Sequence, residues 1–268
     1  FKDPDLVIKK ILRSSISDLV CKGVVPKYYF ISGSGNKKNF TKKNLKLITD
    51  SLKEEQKRYS IFLSGGDTVN SKKLSFTITT VGFSNKIIYR NKAKINDDIY
   101  VTGNLGDSFI GLKIFKNKIR LEKKLNEYFK KKYYLPEIHI GFTKKLLSFA
   151  NTSIDISDGL IADLEKLINK QKLSYKIYIK DIPISKNFKK LIDLKLIKKI
   201  SHVSQGDDYQ ILFTASKSKS RIINKISKLL GLKISKIGKI CHHKVKSQII
   251  DEKNQKIKLK NKGYSHNF

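Results

Sequence analysis

The stretch 153-SIDISDGLIADL-164 decides the fold, and it places three aspartates, Asp155, Asp158 and Asp163, within nine residues. "SIDIS" reads as a strand, and Ser-Asp-Gly interrupts it. Leu160, Ile161, Leu164, Leu167 and Ile168 then recur at helical spacing. A strand that passes straight into a helix is the repeating unit of an α/β layer. Asp155 lies inside the strand-like run, where an unpaired buried carboxylate is costly and metal coordination would remove the difficulty. Asp158 stands where a helix N-cap is expected, so capping accounts for it without a ligand. Asp163 falls farther along the helix and reads as solvated surface.

The surrounding chain makes this gathering of acids unusual. Its 268 residues carry 57 Lys+Arg against 23 Asp+Glu, a formal net charge of +34. Only Arg13, Arg58, Arg90, Arg120 and Arg221 are arginines; the remaining basic residues are lysines spread along the whole length. With Ile and Asn also abundant, a bias in nucleotide composition explains the charge more economically than a nucleic-acid partner does. The densest basic and aromatic stretch, Leu112 to Tyr134, reads as an amphipathic helix with a solvated lysine face; stacking on a nucleic-acid strand is the less economical alternative. No apolar run approaches the ~20 residues of a membrane span, and no signal peptide opens the chain. Cys21 and Cys241 imply no disulfide framework, and "CHH" at Cys241, His242 and His243 lacks the spacing of a zinc site, so a surface loop is expected there. A soluble cytoplasmic protein is the expectation.

Along the chain, residues 4–22 predict a helix with Pro4 in its first turn and Gly23 beyond its end. Asp18 falls at the edge of its apolar stripe, either as a solvated boundary residue or as a ligand pointing into a site. "KYYFIS" predicts a strand, "GSGNKKN" a flexible loop, residues 41–57 a second helix, and "YSIFLSGGDT" a strand entering a glycine turn. Residues 73–83 alternate as another strand. A domain boundary is expected near 84–92. Beyond it, strands at "DIYVTG", "SIDIS", "YKIYI", "YQILFTA" and "KIGKI" alternate with helices near 108–130, 137–150, 160–171, 185–198 and 217–230. The pattern is that of an α/β or α+β chain, expected to divide into two α/β-type domains, 1–86 and 87–268. The triplet "ISD" occurs twice, at Ile16–Asp18 and Ile156–Asp158, without a tandem repeat.

Three more stretches set an aspartate beside glycine. In "SGGDT" (64–68) paired glycines let backbone approach a ligand, and Asp67 could hold a cation on a phosphate; an ordinary Asx turn is the alternative. "TGNLGDS" (102–108) lies between strand and helix like a phosphate-cradling turn, with Asp107 expected to cap the helix. "SQGDDYQILF" (204–213) offers Asp207 or Asp208 to a ligand, or is simply a turn. Together these stretches suggest a polyphosphate held through several Mg²⁺ ions, with no Walker loop or Rossmann fingerprint.

The order "SISDL", "SGGDT", "YRNKAKINDDIYVTGNLGDSFIGL", "IDISDGLIADL", "QGDDYQILFT" and "NKGYSHNF" resembles the thiamine-monophosphate kinase family of the aminoimidazole-ribonucleotide-synthetase-like superfamily, with "DISDGL" the most discriminating element. The resemblance implies the two-domain fold of that superfamily. It also implies ATP-dependent phosphorylation of thiamine monophosphate to thiamine diphosphate, assisted by Mg²⁺, in a homodimer. It implies Asp18, Asp67, Asp155 and Asp158 as metal-binding carboxylates. Gly66, Asp67, Arg90 and Ser157 would contact ATP, and Asp207 and Tyr264 the thiamine substrate.

The chain departs from the family pattern in places. The family's preceding segment, with a "GDD" metal motif, is absent here, so the N-terminal domain is expected to be truncated and this chain alone inactive or very weak. "GGDTT" is "GGDTV", "RSGA" is "RNKA" and "GGED" is "QGDD", which makes Asp207 one methylene shorter than the usual Glu. The alternatives are another ATP-using enzyme of the superfamily, a degenerate nucleotide-binding homologue, and, less economically, a basic nucleic-acid-binding protein.

Overall fold

Pro4 opens helix α1 (Pro4–Val20), where its fixed φ and missing N–H suit the first turn. Ile8, Leu12, Ile16 and Val20 bury one stripe of it. The computed structural model describes residues 2–259 and 261–264. The "SHNF" end of the last motif lies outside these residues.

After α1 come strand β1 (Val25–Gly35), helix α2 (Lys42–Tyr59), and strands β2 (Phe62–Asn70) and β3 (Ser75–Phe83). Thr41 caps α2 by accepting the Asn44 N–H. The strands form a sheet in the order β2-β1-β3, with β2 parallel and β3 antiparallel to β1. Two expectations are corrected here. Residues Gly33–Gly35 and Gly65–Thr68 of "SGGDT" are paired strand, in register Ser32↔Asp67 and Gly33↔Thr68 with a bulge at Ser64, rather than loop and turn. The ladder satisfies the backbone polar groups, which outweighs the low strand propensity of glycine. A Cβ on Gly66 would fall 1.9 Å from the Ile31 carbonyl oxygen, so this close pairing needs glycine.

An irregular segment, 84–97, follows β3. It leads to β4 (Asp98–Thr102), α3 (Asp107–Phe115), α4 (Lys123–Tyr134), α5 (Ile140–Leu146), β5 (Thr152–Asp155), α6 (Leu160–Ile168) and β6 (Leu173–Tyr178). Then follow α7 (Lys186–Asp193), α8 (Lys199–Val203), β7 (Ile211–Ala215), α9 (Ser220–Leu230), β8 (Ile234–His242), β9 (Gln248–Ile250) and β10 (Lys256–Ile257). The second sheet has the order β10-β9-β6-β8-β4-β7-β5. The helix expected at 108–130 is two, separated where Asn117 takes φ 53°, and the one expected at 185–198 breaks before Lys195 at φ 58°. α4 buries Leu125, Phe129 and Tyr134 and exposes Lys123, Lys124, Lys130 and Lys131, the amphipathic pattern expected of that stretch. Cys241 and His242 end β8 instead of lying in a loop.

Alternation along β4 divides the second sheet into two faces. Ile99 and Val101 pack into a core with residues of α3, α4, α6 and α7. Tyr100 faces the other way and stacks on Phe213 at 5.3 Å. That face joins a second core with Ile8, Leu12 and Ile16 of α1, Leu52 of α2, Tyr29 of β1 and Ile223 of α9. The N-terminal segment thus shares its core with the second sheet. The shared core lays α1 across the end of β5.

Candidate functional site

β5 ends at Asp155, and α1 supplies the other wall. The Ser17 hydroxyl donates to Asp155 Oδ2 at 2.9 Å, and the next residue, Asp18, lines the same cavity. This cavity, about 360 Å³, is lined by Ile11, Ser14, Ser15 and Asp18 of α1, Ile78 of β3, and Asp155, Ser157 and Tyr209. The open question about Asp18 is therefore decided by tertiary packing: it is exposed, but exposed into the site.

Asp155 is only 3% exposed. Burial, reinforced by the charge of Asp18, pushes its carboxyl up to about 7, against the opposing hydrogen bond from Ser17. Asp18 is also raised by partial burial, countered by Arg90 and Lys22. Two hard carboxylates with serine hydroxyls beside them form a donor set that fits Mg²⁺. Among the described residues, no group of three or more His, Cys, Asp or Glu side chains stands close enough to hold a metal.

The other expected residues are placed differently. Asp158 ion-pairs with Lys166 and does not line the cavity. Asp67 is exposed on β2, its Oδ1 accepting the Thr68 N–H at 2.7 Å. Gly66 lies in the same strand, and Arg90 is exposed in the irregular segment, near enough to lower the Asp18 pKa.

Asp163 overturns its expectation. It is fully buried, and its Oδ2 accepts the backbone N–H groups of Ser157, Asp158 and Gly159 at 3.0, 2.9 and 3.0 Å. These are donors left unpaired where β5 gives way to α6, and Asp163, not Asp158, satisfies them. Its place in the first turn of α6 follows the rule that acids favour helix N-termini, a signal available in the sequence.

Three motifs far apart in the chain close around this turn. Asp207 N–H donates to Ser157 O at 2.9 Å, Tyr209 N–H to Ile156 O at 2.9 Å, and Tyr264 N–H to Asp158 O at 2.8 Å. A Cβ on Gly206 would lie 1.9 Å from Ser157 O, so only glycine permits the approach. Asp207 and Tyr264 thus stand beside "DISDG", the stretch that carries Asp155 and Ser157.

A second, smaller cavity of about 60 Å³ is lined by residues that include Asp107, Asp208 and Gln210. Asp107 does not cap α3. It is buried and accepts from Ser185 Oγ at 2.8 Å and Tyr128 OH at 2.9 Å. Asp208 caps instead, Oδ2 accepting the Gly106 N–H at 2.8 Å, and burial holds its carboxyl well above the usual range. Sequence reasoning missed Ser17, Tyr209 and the role of Asp208. The repeated "ISD" was the one available hint to Ser17.

The profile of "AIR synthase related protein, N-terminal domain" matches residues 1–84. Thiamine-monophosphate kinase of Buchnera aphidicola from Schizaphis graminum is 34% identical over 98% of this chain and 80% of its own length. The enzyme of the same name from Buchnera aphidicola of Acyrthosiphon pisum is 33% identical over 96% of this chain and 79% of its own. Among solved structures, AaThiL complexed with AMPPCP and TMP superposes with a TM-score of 0.84 at 24% identity, over 98% of this chain and 81% of that one.

Proposed function

Because the chain belongs to the thiamine-monophosphate kinase family, we propose that it transfers the γ-phosphoryl group of ATP to thiamine monophosphate, giving thiamine diphosphate and ADP. The acceptor oxygen belongs to a phosphate that is already ionised, so the step needs no strong general base. The barrier is repulsion between two anions that must align. Bound Mg²⁺ supplies the positive charge that offsets this repulsion. Asp18 and Asp155 would hold it from opposite walls of the cavity, with Asp67 and Asp158 further candidates. Ser17 holds Asp155 in position, and the wall of α1 keeps bulk water from its buried carboxylate. Gly66, Asp67, Arg90 and Ser157 are assigned to ATP, with Arg90 as a fixed cation toward its phosphates. Asp207 and Tyr264 are assigned to the acceptor.

The observation that carries this reading is the convergence of Asp18, Asp155 and Ser157 on one cavity, with the Asp207 and Tyr264 segments hydrogen-bonded to its rim. A nucleotide-using enzyme of this kind belongs in the cytoplasm. The chain has no helix, among the described residues, that is long and apolar enough to cross a membrane. A homodimer would cover the exposed Phe30, Phe62, Leu63, Val69 and Phe83 of the three-stranded sheet.

The test is thiamine diphosphate formation from ATP and thiamine monophosphate, with Asp155→Asn as the comparison. Activity that survives in that variant removes the metal role. Turnover of another phosphorylated acceptor, with thiamine monophosphate inert, removes the substrate assignment.

A further inference from the structure

The ammonium of Lys10, on α1, is buried between three elements. Its Nζ lies 2.7 Å from Asp207 Oδ1, 4.2 Å from the ring centre of Tyr133 on α4, and 5.0 Å from that of Tyr209. The Lys10 side chain is 12% exposed and that of Asp207 29%. Nothing in the established family assignment gives Lys10 a task, yet burying a cation so fully is costly unless it is paired.

The backbone beside it supplies a reason. Asp207 and Tyr209 both adopt left-handed conformations, φ 69° and 51°, which bulky L-residues rarely take. Such strain persists only where the surroundings over-determine it, and it gathers at ligand-binding turns. Lys10 contacts both strained residues at once, Asp207 by charge and Tyr209 through its ring face. Tyr209 in turn lines the cavity that holds Asp155, and its hydroxyl points to Asp207 Oδ1 at 3.4 Å. Ser14, one helical turn beyond Lys10, lines that cavity too. The lysine therefore stands behind the acceptor end of the site, outside the cavity lining.

We infer that Lys10 is a positioning residue for the acceptor: reaching from α1, it pairs with Asp207 and rests against Tyr133 and Tyr209, and so holds the 207–209 turn in the pose that meets thiamine monophosphate. The inference rests on the assignment of Asp207 to the acceptor. Lys10 acts through that turn and leaves the nucleotide end untouched.

Calorimetric binding of thiamine monophosphate and of AMPPCP with Mg²⁺, on the wild-type chain, Lys10→Met, Asp207→Asn and the double variant, tests this. Lys10→Met should weaken the acceptor about tenfold or more and AMPPCP by less than about twofold, and its effect should vanish in the Asp207→Asn background. Hydrogen exchange across 205–210, measured without ligand, should rise in Lys10→Met while α1 stays protected. Equal weakening of both ligands, an undiminished effect in the Asp207→Asn background, or unchanged exchange across 205–210 overturns the inference and leaves the proposed function standing. A wild-type chain that binds AMPPCP and no thiamine monophosphate removes the proposed function, and the acceptor role of Lys10 falls with it.

Discussion

Ser17 and Asp155, 138 residues apart, meet in a 2.9 Å hydrogen bond that ties α1 to the end of β5. The donor is 2% exposed and the acceptor 3%, so the bond is shielded from bulk water. Ser17→Ala leaves a buried carboxylate without its side-chain donor. It should lower unfolding free energy by about 1–3 kcal/mol in urea titrations. An unchanged midpoint would show that Asp155 finds another donor.

Asp155→Asn acts in the opposite sense. A buried acid, already raised to about 7 by burial and by Asp18, destabilises the fold while it lacks a counter-charge. Without Mg²⁺ the variant should therefore unfold no earlier than wild type. Its stabilisation by millimolar Mg²⁺ with AMPPCP should fall to near zero, as ligand linkage requires. Thermal melts with and without the ions check this. A full Mg²⁺-dependent shift in the variant speaks against the metal role.

Asp163→Ala removes the acceptor for three backbone N–H groups and should cost about 3 kcal/mol or more. Asp163→Asn keeps one carbonyl oxygen and should cost less. Because the affected turn carries Ser157, nucleotide binding should weaken along with stability. A loss below about 0.5 kcal/mol, the range of an ordinary surface substitution, would contradict the buried role.

Arg13 and Glu55 form a buried two-point pair, Nε to Oε2 and Nη2 to Oε1, each 2.7 Å, joining α1 to α2. Arg13 Nη1 also donates to Pro136 O at 3.1 Å. Breaking the pair with Glu55→Gln should cost about 3–5 kcal/mol because a buried guanidinium is stranded. The double change Arg13→Met with Glu55→Leu should cost much less than the single one. Denaturant curves of the three proteins decide it, and a double variant that loses as much as the single one or more would count against a coupled pair.

His202 gives a pH signature. It is 4% exposed, and burial, with help from the Lys113 charge, pushes its imidazole down to about 4. Nδ1–H donates to Lys198 O at 3.0 Å, which leaves Nε2 to accept from Lys113 Nζ at 3.2 Å. The folded pKa lies below the unfolded value of ~6.5, so the unfolded chain binds the proton first. Stability is intact above ~6.5 and is lost as pH falls toward about 4, by roughly 2–3 kcal/mol from this residue. His202→Gln should flatten that part of the pH–stability profile relative to wild type. Parallel profiles would exclude the effect.

The sequence by itself determined the main strands and helices as far as β8, though not where two of the helices break, together with the α+β class and the glycine-associated aspartates, because helical and strand periodicities are local. It also supplied Asp155 as a buried acid in need of a partner. Local pattern misled wherever a residue's partner lay far along the chain. "SGGDT" reads as a turn until β1 pairs with it, and Asp163 reads as surface until the Ser157–Gly159 amides fold onto it. Asp158 is the natural cap by position, yet Lys166 takes its carboxylate. Tertiary structure alone decided that Asp18 faces the cavity, that Ser17 holds Asp155, and that Lys10 stands behind Asp207. Each of these depends on where α1 lies across the second sheet. That placement is set by the burial of Ile8, Leu12 and Ile16 in a shared core, a non-local balance that no spacing along the chain records.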